Sequence, residues 1–128
     1  MKRLTKQLKA LADGTRLRLV ALISTRPCCV CELAAVLNLA QPTITRHLQK
    51  LTEAGFLEYE RRGFFQIYRL CPADQKAKDL LALVIPSLLE DPEIMALLER
   101  FRHLNVGPAF LRECPSKPDE EKNGELET

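Results

Sequence analysis

The sequence predicts a mainly α chain with a small β-hairpin. Three observations carry this. Apolar residues recur at helical spacing through most of residues 3–55. Two short β-like runs, residues 56–60 and 65–70, flank Arg61, Arg62 and Gly63. Two further helical stretches follow, about 73–89 and 92–103.

The elements are read in order. Leu4, Leu8 and Leu11 set a first amphipathic helix over 3–12, which Asp13-Gly14 breaks. Thr15 is expected to cap a second helix carrying Leu17, Leu19, Val20, Leu22 and Ile23, ended by Arg26-Pro27. A short third helix follows at about 30–38, with Val30, Leu33, Ala34 and Leu37 inward. Asn38-Leu39-Ala40 reads as a tight turn. Gln41-Pro42 opens a fourth helix, because proline in the first turn forfeits no helical hydrogen bond. Ile44, Leu48 and Leu51 form its inner stripe, and Gly55 stops it. The hairpin is expected to carry Arg61 and Arg62 at its tip. The long helix from Ala73 should kink at Pro86. Asp91-Pro92-Glu93 caps the last helix.

Length and composition narrow the class. The chain has 128 residues and is 46% hydrophobic, enough for one domain with a real core. Residues 1–103 are expected to form that domain and 104–128 a flexible acidic tail. The longest apolar run, residues 80–85, is far shorter than a membrane span. No apolar stretch follows the basic start, so a secretory signal is not expected and the location should be cytoplasmic. Net charge is +2, unevenly spread. Residues 1–70 hold 12 Lys/Arg against 5 Asp/Glu, and the remainder 7 against 12. A basic half joined to an acidic one suggests a face that meets a polyanion.

The order helix, short helix, turn, helix, basic hairpin has the spacing of a winged helix-turn-helix. The outer face of the fourth helix offers small hydroxyls, amides and cations. Gln41, Thr43, Thr45, Arg46 and Gln49 can address base edges in a major groove. Arg46, His47 and Lys50 can add phosphate contacts, and Arg61 and Arg62 would touch backbone or minor groove as a wing. The expected partner is double-stranded operator DNA.

Residues 11–19 (LADGTRLRL), 29–33 (CVCEL), 41–48 (QPTITRHL) and 68–70 (YRL) resemble the ArsR/SmtB family of bacterial metal-sensing repressors, over about residues 4–71. The resemblance implies a homodimer whose N- and C-terminal helices form the interface. It also implies operator binding that ends when a metal or metalloid binds. Gly14 stands where the family commonly has proline, a change expected to leave the fold intact. In the arsenic-sensing type a third cysteine often lies three residues after the C-x-C pair; here that position is Ala34.

Five cysteines without an export signal do not suggest a disulfide framework. Three of them, Cys28, Cys29 and Cys31, fall within four residues at the expected start of the third helix. Thiolates select thiophilic ions. The resemblance narrows the inducer to As(III) or Sb(III), which three thiolates would complete. Cys28 is the preferred third ligand and Cys114 the alternative, while Cys71 reads as a small buried residue. Amide N–H groups and the helix dipole there should lower thiol pKa. Residues two apart on a helix point about 200° apart, so joint ligation by Cys29 and Cys31 is expected to unwind the first helical turn. The two histidines, His47 and His103, lie away from this cluster in sequence, and His47 reads as DNA-facing or structural. The helix at 73–89 lacks histidine, which argues against the zinc site some family members place there.

Other readings stay open. The same thiols could respond to oxidants, with Cys71 or Cys114 as the resolving thiol. Cd²⁺, Pb²⁺ or Zn²⁺ could replace the metalloid. An enzyme is disfavoured, since no triad, phosphate loop or paired acidic cleft is visible. The apolar helix at 80–85 suits a dimer interface.

Overall fold

The computed structural model describes residues 1–109 and 111. The chain runs α1 (Lys2–Leu11), α2 (Gly14–Thr25), β1 (Cys28–Cys29), α3 (Val30–Leu37), α4 (Gln41–Glu53), β2 (Leu57–Arg62), β3 (Phe65–Leu70), α5 (Gln75–Leu89) and α6 (Pro92–Arg102). This is a winged helix-turn-helix, mainly α, with the expected helices and hairpin in the expected order and one further short strand, β1.

Local chemistry explains the boundaries. Asp13, rather than Thr15, caps α2 by accepting from Arg16 N–H at 3.0 Å. Gly14 is the first helical residue, a position where glycine and proline are both tolerated. Asn38 ends α3 in the left-handed conformation, and Leu39 N–H returns to the Ala34 carbonyl. The turn to α4 is therefore only Asn38, Leu39 and Ala40, which fixes the angle between the two helices. Asp74 caps α5 through Ala77 N–H, and Asp91 caps α6 through Glu93 and Ile94 N–H. The helix α5 continues through Pro86 to Leu89.

The sheet departs from a simple hairpin. Cys28 and Cys29 form a two-residue strand against β3, in register with Tyr68 and Ile67, giving the antiparallel order β1-β3-β2. A segment so short, placed between proline and a helix, carries no alternation by which to recognise it. The β2–β3 hairpin turns at Gly63-Phe64, since Arg62 still pairs with Phe65. Arg61 and Arg62 are thus strand residues just before the tip, not the tip itself. Phe64 occupies the tip, fully exposed. Tyr59 stacks on its cross-strand neighbour Tyr68, and Arg69 pairs with Glu58 and Glu60.

The core lies where α2, α3 and α4 meet the sheet. Leu19, Leu22, Leu33, Ile44, Leu48, Leu51 and Phe56 are fully buried there. Each such side chain contributes about 1.5–3 kcal/mol by leaving water. Arg3 and Gln7 of α1 bond to Asp74, tying the first helix to the start of α5. Leu104 packs on this core and Leu111 on a smaller cluster with Cys29 and Ile67, so packing contacts run beyond residue 103. The rest of the expected tail, Cys114 included, lies outside the described residues. Among the described residues, no helix is long and apolar enough to cross a membrane.

Gly55 joins α4 to β2 at φ +90°, and a Cβ there would fall 2.3 Å from Arg3 Nη2 and 3.2 Å from Ala73 Cβ. Gly55→Ala is expected to cost roughly 1–3 kcal/mol in urea unfolding; a midpoint equal to wild type would contradict this packing.

Candidate thiol site and nucleic-acid interface

Cys28 and Cys29 are adjacent on one strand, so their side chains leave on opposite faces. Cys28 points into the main core and is fully buried, its thiol donating to the Arg26 carbonyl at 3.2 Å. Cys29 points the other way, into the cluster of Ile67 and Leu111, with Cys31 and Phe65 packed against it. The structure therefore brings Cys29 and Cys31 together and leaves Cys28 apart, against the expectation that Cys28 is the third ligand. Cys71, expected to be buried, is half-exposed just after β3.

The geometric objection to joint ligation by Cys29 and Cys31 also falls. Cys29 is the N-cap of α3, with extended backbone (φ −92°, ψ 160°), and Cys31 is the second helical residue. The helical step of about 100° applies only inside the helix. The cap residue lies outside that rule, so the two thiols approach each other without unwinding. A Cβ built on Gly107 would fall 3.0 Å from Cys29 Sγ and 3.3 Å from Cys31 Sγ. Gly107, at φ +80°, thus lets the chain after α6 press its backbone directly onto both sulfurs.

Glu32 holds this arrangement. Its Oε1 accepts from Cys29 N–H at 3.0 Å, while Glu32 N–H is directed at the Cys29 thiol, a capping box with sulfur in place of a hydroxyl. The Glu32 side chain is 1% exposed and forms a two-point ion pair with Arg26, at 3.2 and 2.7 Å. Arg26 stacks in turn over the Phe101 ring of α6, 4.4 Å from its centroid. Breaking a buried pair by removing one partner typically costs about 3–5 kcal/mol. Neither Arg26, Glu32 nor Gly107 was singled out from sequence. Glu three residues after the cap position was the available signal.

Electrostatics run opposite to the dipole argument. Burial pushes the Cys29 thiol well up from its ordinary value, aided by the Cys31 thiol and the Glu32 carboxylate, and the Glu32 N–H only partly offsets them. Burial pushes Cys28 up as well. Cys28 and Cys29 therefore rest as thiols at neutral pH. Among the described residues, no group of three or more His, Cys, Asp or Glu converges as a metal site.

A cleft of about 440 Å³ runs from the thiols to the wing, lined by Cys29, Cys31, Gln41, Thr45, Arg61 and Phe64 among others. Gln41, Arg46, Gln49 and Lys50 are exposed on α4, and Thr43 and Thr45 are half-exposed at its flanks. His47 turns back toward α2, with Nδ1 3.1 Å from Arg16 Nη1. Its burial, together with Arg16, Arg46 and Lys50, lowers its pKa against an opposing pull from Asp13, which favours the neutral ring. Arg61 and Arg62 are exposed on β2.

Alkylation with iodoacetamide, mapped by mass spectrometry, should label Cys31 before Cys29 at pH 7 and leave Cys28 intact in the folded chain. Since the Cys29 thiol is raised, its rate should climb about tenfold per pH unit as alkali supplies thiolate. Early labelling of Cys28 would contradict its placement in the core.

Comparison with known proteins places these features in a lineage. The family model "Bacterial regulatory protein, arsR family" matches residues 13–59, the stretch from the α2 cap to β2. The "Arsenic resistance transcriptional regulator ArsR1" of Pseudomonas putida is 51% identical over 65 residues, half of this chain and 51% of that protein. The "Arsenical resistance operon repressor" of Escherichia coli is 46% identical over 65 residues, covering 50% and 56%. The chain thus spans about half the length of these curated relatives, which are transcriptional regulators and not enzymes. The crystal structure of a "Possible transcriptional regulator for arsenical resistance" is 34% identical, covers 74% of this chain and 95% of that one, and superposes with a TM-score of 0.53. A homodimeric winged helix-turn-helix domain from Mycobacterium bovis, solved in solution, is 27% identical with a TM-score of 0.59, covering 83% and 89%. Motif, fold and likeness agree: the chain belongs to the ArsR family of bacterial regulatory proteins.

Proposed function

We propose that the chain is a homodimeric repressor that binds operator DNA and lets go when trivalent arsenic, or its heavier congener antimony, is captured by Cys29 and Cys31. The observation that carries this reading is the convergence of two thiols at the cap of α3, in the same cleft as Gln41, Thr45 and Arg61. Capture there acts on the cap of one helix of the DNA-reading pair and on the space between α4 and the wing at once.

The donor set fits a thiophilic metalloid better than a hard cation, because it is sulfur with no carboxylate to spare. Glu32 is held by Arg26 and by the Cys29 N–H. A trivalent centre takes three thiolates, and Cys114 is the reading for the third. Each thiol gives its proton to a hydroxide of arsenous acid, which departs as water while an S–As bond forms. That exchange leaves no net proton change. A divalent cation would instead release one proton per thiol. Arsenite affinity should therefore stay nearly flat between pH 6 and 8, whereas Cd²⁺ affinity should rise steeply with pH.

The relatives named for arsenic resistance support the inducer, and the homodimeric neighbour supports the assembly. The exposed apolar residues Leu4, Leu8 and Leu83 on α1 and α5 supply a face for the second copy. On α4, Gln41, Thr43, Thr45, Arg46 and Gln49 read base edges, and Lys50, Arg61 and Arg62 engage phosphate, in a cytoplasmic setting that keeps thiols reduced.

The test is fluorescence anisotropy of the reduced chain on its own promoter DNA, titrated with arsenite, antimonite, Cd²⁺, Zn²⁺ and peroxide. Release at about one arsenite per protomer is expected. Cys29→Ser and Cys31→Ser should bind DNA normally but need more than about tenfold more arsenite, roughly 1.4 kcal/mol of inducer binding. Cys114→Ser should share that loss, and Cys28→Ala should respond as wild type. Wild-type response of the Cys29→Ser and Cys31→Ser variants would overturn the site. Release by peroxide alone would replace it with a redox switch.

Arg46→Ala should weaken operator binding by about 1–3 kcal/mol while leaving arsenite affinity of the free protein unchanged. Unaltered operator affinity would remove Arg46 from the interface.

A further inference from the structure

A recognition helix seated in a major groove about 12 Å wide lies between two sugar-phosphate strands. The wing and its cleft flank α4 on the side of Gln41 and Thr45. The opposite side of α4 faces α1 and the start of α2. There the molecule holds a second cleft, of about 670 Å³, lined by Lys2, Lys6 and Lys9 of α1, Arg16 of α2, and Lys50 and Glu53 of α4.

Five cations thus share one concave surface with a single carboxylate. Lys2, Lys6 and Lys9 recur at helical spacing and form one stripe. That stripe sits about 140° around the helix from Leu4 and Leu8, at 100° per residue, so it is not the face offered to a second copy. Among the described residues, the acidic partners in ion pairs are taken by arginines and by His103: Asp13 by Arg16, Asp74 by Arg3, Glu93 by Arg18, Glu32 by Arg26, Glu58 by Arg69, Glu60 by Arg62 and Arg69, and Glu99 by Arg102 and His103. Among the described residues, Lys2, Lys6, Lys9 and Lys50 take part in no ion pair. Arg16 is fixed as the back wall by the carbonyls of Ala10 and Lys9 and by His47. Like charges crowded in excess of their protein counter-charge, here Glu53 and the Asp13 that meets Arg16, oppose folding, and an external polyanion relieves them.

We infer that the cleft between α1 and α4 is a second phosphate-binding surface, which grips the DNA backbone strand on the side of α4 away from the wing. The occupant is DNA rather than a small phosphorylated ligand, because Lys50 belongs both to the cleft and to the exposed face of the helix that reads bases. The cleft continues that face. This inference rests on the reading of α4 as the DNA-reading helix. It adds α1, an element no motif points to, to the interface. It also makes α1 a phosphate clamp on one face and a dimer helix on another.

The experiment compares Lys6→Gln/Lys9→Gln with Lys76→Gln/Lys78→Gln, an equal loss of charge at exposed positions on α5. Glutamine keeps helix propensity close to lysine, so both variants should fold as wild type. Dissociation constants are measured by anisotropy from 50 to 300 mM KCl, on promoter DNA and on a random duplex. Each phosphate contact contributes about 0.9 to the slope of log affinity against log salt. The α1 variant should lose nearly two units of slope and about tenfold in affinity at 100 mM, equally on both duplexes, since phosphate carries no sequence. The α5 variant should keep the wild-type slope. Equal loss in both variants, which would reflect net charge alone, overturns the inference, as does an unchanged slope in the α1 variant. Relief of binding by millimolar inorganic phosphate at constant ionic strength, in wild type but not in the α1 variant, would assign the cleft to a free anion and overturn it too. If wild type fails to bind either duplex, the reading of α4 falls first and this inference with it.

Discussion

The reciprocal cap at the start of α3 is the constraint on which the rest depends. Glu32 closes the Cys29 N–H, the Cys29 thiol receives the Glu32 N–H, and Arg26 neutralises the carboxylate from the other side. With 1% of its side chain exposed, Glu32 has its buried oxygens matched by Arg26 on one side and the Cys29 N–H on the other. That one knot fixes where α2 ends, where α3 begins and which way two thiols face. It reaches α6 through the stack of Arg26 on Phe101. In the proposed function the sensing chemistry is thus laid over a structural cap, since the Cys29 thiol that would capture the inducer also holds the helix end.

This placement explains how a small ligand event can have leverage. A cap contributes typically about 1 kcal/mol to a helix, but here it is shared between a strand, a helix and a buried ion pair. The thiols also open onto the space between α4 and the wing, so under the proposed function the inducer would bind one cleft's width from Gln41 and Thr45 rather than the length of the domain away. No long relay through the core is needed.

Most of the fold was legible because its helices follow apolar spacing and end at Asp, Asn, Gly and Pro residues with known turn roles. The helix-turn-helix was readable from Asn38 and Gln41-Pro42. Three things were not. Strand β1 is two residues long, too short for any periodicity, yet it decides the site by turning Cys28 into the core. Gly107 lies beyond the last clear helix, and its contact with the thiols is long-range. The thiol electrostatics were misjudged from sequence, since a helix N-terminus lowers a thiol pKa only when burial and a neighbouring carboxylate do not outweigh it. Cys29 meets both.

The alternation of β1 has a consequence for how such a chain can change over time. Because Cys28 and Cys29 leave opposite faces of one short strand, their roles are assigned by register, not by chemistry. A one-residue slip of β1 against β3 would exchange them, turning the Cys29 sulfur inward and the Cys28 sulfur outward. A doublet of identical residues keeps a thiol on each face through such a slip. The repeated cysteine thus gives this junction a tolerance to register changes that one cysteine beside an ordinary core residue would lack.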